Sequence, residues 1–245
     1  MLHPALFAVL LALFRPDGTL LPPPSAPRAV LAADHAAWDS LLLRYVSPAG
    51  KVNYAALKKN DAPALEAYCR HLGEHPPQDT WSRAEQMAYW INAYNAFTVR
   101  LIVEHYPTSS IMRLDGGKTW DVKRIPIGSK KYSLNQIEND MLRARFKDAR
   151  IHFALNCAAR SCPPLLHRAY SPGQLDSLLD ARTRSFIRDG GHNTISGDRA
   201  EVSKIFEWYA ADFGDLRSYL NRYAKVSMKR GAAITYREYD WNLND

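Results

Sequence analysis

SRAEQMAYWINAYNAFTVRLIVEH, residues 82–105, is the stretch that decides the fold. Ser82 followed by Glu85 is the capping-box pattern that starts an α-helix. Apolar and aromatic residues then cover most of the helical circumference, as is typical of a helix buried on nearly every side. The sequence therefore predicts a central helix from Ser82 to His105, with the other elements packed around it.

One face of this helix is polar. Glu85, Tyr89, Asn92 and Asn95 return near the same face, because offsets of four, seven and ten residues approach whole helical turns. Buried amides must be hydrogen-bonded, so Asn92 and Asn95 either hold a loop or line a site. Glu85 has a competing role in the capping box. We therefore regard Glu85, Asn92 and Asn95 as candidate substrate-binding residues.

The remaining elements are short and mixed in type. Capping residues and helical spacing predict further helices at 34–46, 63–72, 133–145, 171–187, 204–211 and 215–223. Turn residues predict β-hairpins at 122–133 and 193–203, and apolar runs predict strands at 150–155 and 233–236. This pattern indicates a single α+β domain, mainly helical, with a small and mostly antiparallel sheet.

Composition and charge narrow the class of protein. The chain has 245 residues, of which 47% are hydrophobic, so it can bury one sizeable core. Its formal net charge is +7, but the basic residues are spread out and form no zinc-finger, RNP or basic-zipper pattern. We therefore expect no nucleic-acid partner. A peptide or a small molecule is the kind of substrate that we expect instead.

Residues 1–33 read as a leader that precedes the domain at 34–245. Ala5 to Phe14 is an apolar run of signal-peptide length, too short to span a bilayer stably. Val30 and Ala32 would suit a signal peptidase that cleaves after Ala32. The sequence predicts a periplasmic or secreted protein, with no stable membrane insertion once the leader is removed.

The segment IHFALNCAARSCPP, residues 151–164, is the best candidate for chemistry. It places His152 in the predicted strand and Cys157 and Cys162 on the loop that follows. If Pro163 begins a helical turn, the Cys162 thiol lies at its N-terminus, where free N–H groups stabilise a thiolate. We expect Cys162 to be a nucleophile and His152 its general base, with Cys157 and Asn156 beside the pocket.

Other interpretations of this segment stay open. Cys157 and Cys162 could be small buried residues or a disulfide, with His152 hydrogen-bonded in the core. His152, Cys157, Cys162 and His167 also recur at an even spacing that is compatible with zinc ligands, although the paired CxxC pattern is absent. No cofactor or metal is implied by the leading interpretation.

Two carboxylates are candidates for orienting the histidine. Asp240 lies in the aromatic and amide cluster YDWNLN, residues 239–244, which we expect to dock against the domain. Glu138 follows the Ser133 cap by more than one turn, so capping does not explain it. Either carboxylate could accept a hydrogen bond from the imidazole, as the third member of a nucleophile, base and orienter set.

Four motifs resemble the domain-of-unknown-function 547 family. They are WINAYNA at 90–96, YSLNxIE at 132–138, HFALNC with SCP between 152 and 163, and YDWxLN at 239–244. The resemblance implies no settled activity. Some eukaryotic relatives join the domain to a glutaredoxin-like domain or a coiled coil, which suits thiol chemistry or scaffolding. A papain- or transglutaminase-like fold would place a cysteine on the central helix, where this chain has Asn92 and Asn95.

The sequence thus supports two hypotheses from different classes. The leading one is an exported Cys-His hydrolase or acyl transferase acting on a peptide or related amide, with Cys162, His152 and either Asp240 or Glu138 as catalytic residues. The alternative is a non-catalytic binding or scaffold domain in which the same motifs form structural polar networks.

Overall fold

A capping box begins the central helix, as the sequence predicts. The computed structural model describes residues 34–245, so the leader expected at residues 1–33 lies outside the described part of the chain. Helix α3 (Arg83–His105) starts where the Ser82 side chain accepts from the Glu85 N–H and the Glu85 carboxylate accepts from the Ser82 N–H. It is buried along almost all of its length. The elements that carry the candidate site pack around it.

Two helices precede α3, of which the second packs against α3 and the first packs against the second. Helix α1 (Ala36–Tyr45) and helix α2 (Tyr54–Glu74) form this layer. Helix α2 starts nine residues before the predicted start at Pro63, because the Asn53 side chain caps it by accepting from the Ala56 N–H. Non-helical backbone at Asp61 relieves the clash that Pro63 would otherwise make with the preceding turn.

A hairpin and a wide helix follow. Strands β1 (Ile125–Ile127) and β2 (Lys130–Tyr132) pair antiparallel, which confirms the first predicted hairpin. The Ser133 and Gln136 side chains then form the second predicted capping interaction. Residues Gln136–Arg143 form a π-helix that continues as helix α4 (Ala144–Phe146). Such wide turns often occur at functional sites, because they re-aim side chains.

The strand predicted at 150–155 is wrong. Ala149–Phe153 forms a 3₁₀ turn, started by the Asp148 side chain accepting from the Arg150 N–H. A short apolar run does not distinguish a buried strand from a buried turn by periodicity alone. Phe153 lies in a second cluster of buried residues, packed against Phe186, Phe206 and other aromatic rings. His152 is therefore presented from a turn rather than from a strand.

The C-terminal part supplies the remaining elements. The helices are α5 (Leu175–Arg188), α6 (Ile205–Trp208), α7 (Ala210–Phe213) and α8 (Leu216–Tyr223). The strands are β3 (Thr194–Ile195), β4 (Arg199–Val202) and β5 (Ala233–Tyr236). Strand β4 pairs antiparallel with β3, as predicted for the second hairpin, and parallel with β5.

The C-terminal residues dock against the domain. Leu243 pairs with Ala159 in an isolated bridge, and Asn244 accepts a hydrogen bond from the Tyr54 hydroxyl. Together the elements confirm a single α+β domain that is mainly helical, with one antiparallel and one mixed sheet. Among the helices between residues 34 and 245, none combines the length and hydrophobicity that a membrane span requires.

Candidate functional site

A cleft of about 250 Å³ brings several of the predicted residues together. It opens where the 152–163 segment meets the π-helix, helix α6 and the docked C-terminal residues. Its aromatic lining consists of Tyr94, Trp120, Trp208, Tyr209, Tyr239 and Trp241. Its polar and ionisable lining consists of Asn135, Glu138, His152, Cys157 and Cys162. Four candidate residues from the sequence thus share one cleft.

His152 is held between two carboxylates. Its Nε2 lies 2.7 Å from Asp212 Oδ2, and its Nδ1 lies 3.9 Å from Glu138 Oε1. An ionised carboxylate only accepts hydrogen bonds, so Nε2 carries the proton that it donates to Asp212. The ring also stacks on Tyr209, with centroids 4.0 Å apart. Nδ1 is thus the nitrogen left to exchange a proton with another group.

Asp212 is fixed in turn by Arg143. The guanidinium donates from Nε to Oδ2 over 2.6 Å and from Nη2 to Oδ1 over 2.9 Å, a bidentate pairing. The hydrogen bond from His152 and then that from Arg143 hold the pKa of Asp212 well below its ordinary value. Asp212 therefore remains ionised and orients the imidazole.

Glu138 is a buried carboxylate, only 6% exposed, on the π-helix. It is hydrogen-bonded to the Tyr209 hydroxyl, and burial followed by its negative charge raises the pKa of that tyrosine. Glu138 and Tyr209 thus form a polar wall beside His152 Nδ1. The sequence proposed Glu138 as a carboxylate that orients the imidazole, and its Oε1 lies near Nδ1 without a hydrogen bond to it.

The two thiols of the 157–162 loop are in contact. Their sulfur atoms lie 2.8 Å apart, and both cysteines are free thiols. The Cys157 N–H donates to Cys162 Sγ over 2.9 Å, and the Tyr239 hydroxyl lies 3.3 Å from Cys157 Sγ. Cys157 is partly exposed, whereas Cys162 is only 5% exposed.

The two thiols differ in acidity. Burial works to raise the pKa of Cys157, but hydrogen bonds with Cys162, Tyr239 and the backbone of Ala159 outweigh it and lower that pKa. Burial, followed by the contact with Cys157, raises the pKa of Cys162 well above its ordinary value. Cys157 is therefore the thiol that more readily carries negative charge, and it is also the more accessible one.

The premise for Cys162 as nucleophile is wrong. No helix begins at Pro163, and the Cys162 N–H is used in a turn that it closes on the Ala159 carbonyl. Neither ring nitrogen of His152 points to a thiol, since Nε2 faces Asp212 and Nδ1 faces Glu138. Cys162 lies behind Cys157, in a position that supports it.

The asparagines on α3 hold backbone instead of lining the cleft. Asn92 donates to the Tyr170 carbonyl over 2.8 Å and accepts from its N–H over 3.0 Å. Asn95 donates to the Ala154 carbonyl and accepts from the Asn156 N–H, each over 2.9 Å. The sequence left open whether these asparagines hold a loop or line a site, and the structure shows that they hold loops. Asn95 thereby fixes the chain that leads from His152 to Cys157.

Asn156 also acts within the loop. Its side chain donates to the Pro163 carbonyl over 2.9 Å and accepts from the Ala158 N–H over 3.0 Å. These two bonds clamp both ends of the segment that carries the thiols. Ala158 adopts φ +63°, a left-handed conformation that a non-glycine residue takes only where its surroundings impose it.

Asp240 and Glu85 do not take the expected roles. Asp240 Oδ1 accepts from the N–H and the side-chain amide of Asn242, a local turn beside the cleft. The acid that contacts His152 is Asp212 instead, because α7 brings it to the ring and the C-terminal turn does not bring Asp240 there. Glu85 is used by its capping box.

The alternative zinc site is not assembled. Within residues 34–245, no group of three or more His, Cys, Asp or Glu side chains is arranged to hold a metal ion. The His152 ring is hydrogen-bonded to Asp212. The chain from His152 through Cys157 and Cys162 to His167 consists of turns and loops, so these evenly spaced residues do not share one face of a helix or strand. The even spacing of these four residues in sequence therefore does not bring their side chains together around one point.

An aromatic rim was missed by sequence reasoning. Trp208 is 45% exposed and packs on Tyr239 and Trp241, with ring centroids 4.8 Å and 5.9 Å away. Trp120 meets Trp241 edge-on at 5.6 Å. Exposed tryptophan at a cleft mouth is a common feature of binding sites. The cluster at 239–244 gave part of this signal, but Trp120 and Trp208 come from distant segments.

Comparison with known proteins matches part of the chain to a protein family. No curated protein and no solved structure matches it. The family model described as protein of unknown function, DUF547, matches residues 78–187, a range that includes α3, Glu138 and the whole 152–163 segment. Three of the four motifs lie inside that range. The resemblance to the DUF547 family is thereby confirmed over residues 78–187.

Proposed function

We propose that this protein is a thiol-dependent hydrolase or acyl transferase that acts on a peptide or related amide, with Cys157 as the nucleophile. The observation that carries the proposal is the position of Cys157, a partly exposed thiol of lowered pKa in a cleft shared with His152. A thiolate is the nucleophilic form of cysteine. His152, oriented by Asp212, supplies a group that exchanges protons in the same cleft.

The proposed steps use these groups in sequence. His152 Nδ1 takes the proton of the Cys157 thiol, and the resulting thiolate attacks the carbonyl carbon. The C–N bond then breaks, and the amine leaves with that proton from Nδ1. Water or an acceptor amine then attacks the thioester and returns a proton to Nδ1, which frees Cys157. Asp212 is a positioning residue, since it touches His152 Nε2 and not the reacting atoms.

The cleft suits a small acyl group presented on a larger chain. Its volume of about 250 Å³ lies below that of pockets that enclose whole drug-sized ligands. The half-exposed Trp208 and its aromatic neighbours extend the surface outward, where the flanking part of a peptide would lie. We therefore propose that the rim binds the chain and that the cleft receives the acyl group.

Acylation by p-nitrophenyl acetate tests this function. We expect one acetyl group on Cys157 in the folded protein, found by mass spectrometry of its peptides, and a matching burst of nitrophenolate. Cys157→Ser should abolish the burst, and Cys69→Ser, which removes the thiol buried in α2, should leave it unchanged. His152→Gln should slow loss of the acetyl group by about 100-fold or more. Equal acetylation of Cys69 and Cys157 would contradict the proposal.

A second candidate function is binding without catalysis. It is favoured by the position of both His152 nitrogens beside carboxylates and by the aromatic rim. In that case Trp208→Ala should abolish binding of peptides from a random-sequence library, and Cys157→Ser should leave it intact. No acetyl-Cys157 would form on the unaltered protein, which separates the two functions.

We further propose that the protein is exported, as the leader pattern at 1–33 predicts. Intact mass of the protein recovered from a bacterial periplasm or medium should correspond to a chain that starts at Ala33. Replacing Leu10 and Leu11 with arginine should retain the full-length chain in the cytoplasm, because it interrupts the apolar run. Full-length protein outside the cytoplasm would contradict cleavage after Ala32.

A further inference from the structure

We propose that Cys157 and Cys162 also form a dithiol pair that exchanges with disulfides, so that the same cleft reduces a small disulfide or a disulfide carried on a peptide. The sulfur atoms already lie 2.8 Å apart. A disulfide bond is about 2.05 Å long, so joining them requires a movement of less than about 1 Å.

Hydrogen bonds within the loop hold the two sulfur atoms beside each other. The Cys157 N–H donates to Cys162 Sγ, and the Asn156 side chain bridges Ala158 to Pro163 across the loop. These bonds turn the chain back on itself at Ala158. The two thiols are thus brought together by the fold itself, before any bond joins them.

The two thiols also differ in access, as exchange requires. Cys157 is partly exposed in the cleft, and Cys162 lies buried behind it. An incoming disulfide reaches Cys157 first, and the resulting mixed disulfide presents its Cys157 sulfur to Cys162. The attacking and resolving roles therefore follow from burial.

The exchange balances with a disulfide as the named co-reactant. The Cys157 thiolate attacks one sulfur of R–S–S–R, that S–S bond breaks, and the first R–S⁻ leaves with the electron pair. Cys162 then loses its proton and attacks the Cys157 sulfur, which expels the second R–S⁻. The protons of the two cysteines end on the two released thiols. The protein is oxidised by two electrons and the substrate disulfide is reduced.

This activity does not depend on the proposed acyl transfer, because it needs both thiols and no histidine. One consequence rests on the proposed function: with Cys157 in a disulfide, no thiolate remains for acylation. Oxidation would therefore switch the acyl-transfer reaction off, and a disulfide substrate would compete with an acyl substrate for the same sulfur.

Oxidised glutathione tests the proposal with the full-length reduced protein. After the reaction, the protein is unfolded, iodoacetamide blocks the remaining thiols and mass spectrometry maps the peptides. We expect two glutathione thiols released per protein, a disulfide between Cys157 and Cys162, and alkylated Cys69. Cys162→Ser should stop at glutathione bound to Cys157, and Cys157→Ser should not react. Cys162→Ala serves if the serine variant unfolds.

Three outcomes decide the matter. Glutathione that remains on Cys157 of the unaltered protein, or no reaction at all, would overturn the dithiol proposal. Acetylation of the unaltered, reduced protein by p-nitrophenyl acetate, measured in parallel, reports acyl transfer separately. A protein that forms the disulfide but is never acetylated would retain the dithiol activity and lose the hydrolase assignment.

Discussion

Asn95→Ala lowers the free energy of unfolding by roughly 2–4 kcal/mol, because it leaves two buried backbone groups without partners. Those groups are the Ala154 carbonyl and the Asn156 N–H, which the Asn95 amide satisfies over 2.9 Å each. The same bonds fix the chain between His152 and Cys157. Chemical unfolding in urea measures the stability change, provided that the slope of the transition stays constant.

Asn92→Ala is the matched control for that variant. It removes an equivalent pair of buried bonds from the same helix, but they hold Tyr170 and not the thiol loop. We expect a similar loss of stability from both variants. Only Asn95→Ala should raise the pH at which iodoacetamide labels Cys157, since the loop that lowers its pKa is released. Equal shifts in both variants would show that Asn95 does not hold the thiol loop specifically.

Local signals in the sequence predicted most of the fold. The capping boxes at Ser82 and Ser133 place the starts of two helices within a residue, because both partners lie within four positions of each other. The turn at Gly128 places the first hairpin for the same reason. The polar stripe on α3 also predicted that Asn92 and Asn95 would be buried and bonded, though not to which groups.

The features that the sequence could not predict are contacts between residues far apart in the chain. Asp212 meets His152 across sixty positions, and α7, which carries it, is a single short turn with no distinctive spacing. The sequence therefore points to Asp240, which lies in a recognisable motif, and not to Asp212. The strand expected at 150–155 failed because a strand needs a partner, and no pattern within the segment states whether one exists. The relative burial of Cys157 and Cys162 is also a long-range feature, because residues 239–243 dock against the loop that carries them.

Asp212→Ala is expected to lower the free energy of unfolding by roughly 2–3 kcal/mol near neutral pH. It removes hydrogen bonds from His152 and Arg143, and bonds to charged groups contribute about 1.5–3 kcal/mol each. We take less than their sum, because the Asp212 side chain is 25% exposed and solvent screens the pair. The His152 ring, with 1% of its side chain exposed, would be left with one fewer buried partner.

The pH dependence of that loss identifies the charge as its cause. The pKa of Asp212 in the folded protein lies below its ordinary value of 3.8, so the unfolded chain binds the proton more readily. The stabilisation is therefore fully present above about pH 4–5 and declines as the pH falls through the folded-state value. Urea unfolding at several pH values should show the variant and the unaltered protein converging in acid. Asp180→Asn, in an exposed pair with Arg184, should change stability by less than about 0.5 kcal/mol. A stability difference for Asp212→Ala that stayed constant down to pH 2 would mean that packing, not the ion pairs, holds His152 in place.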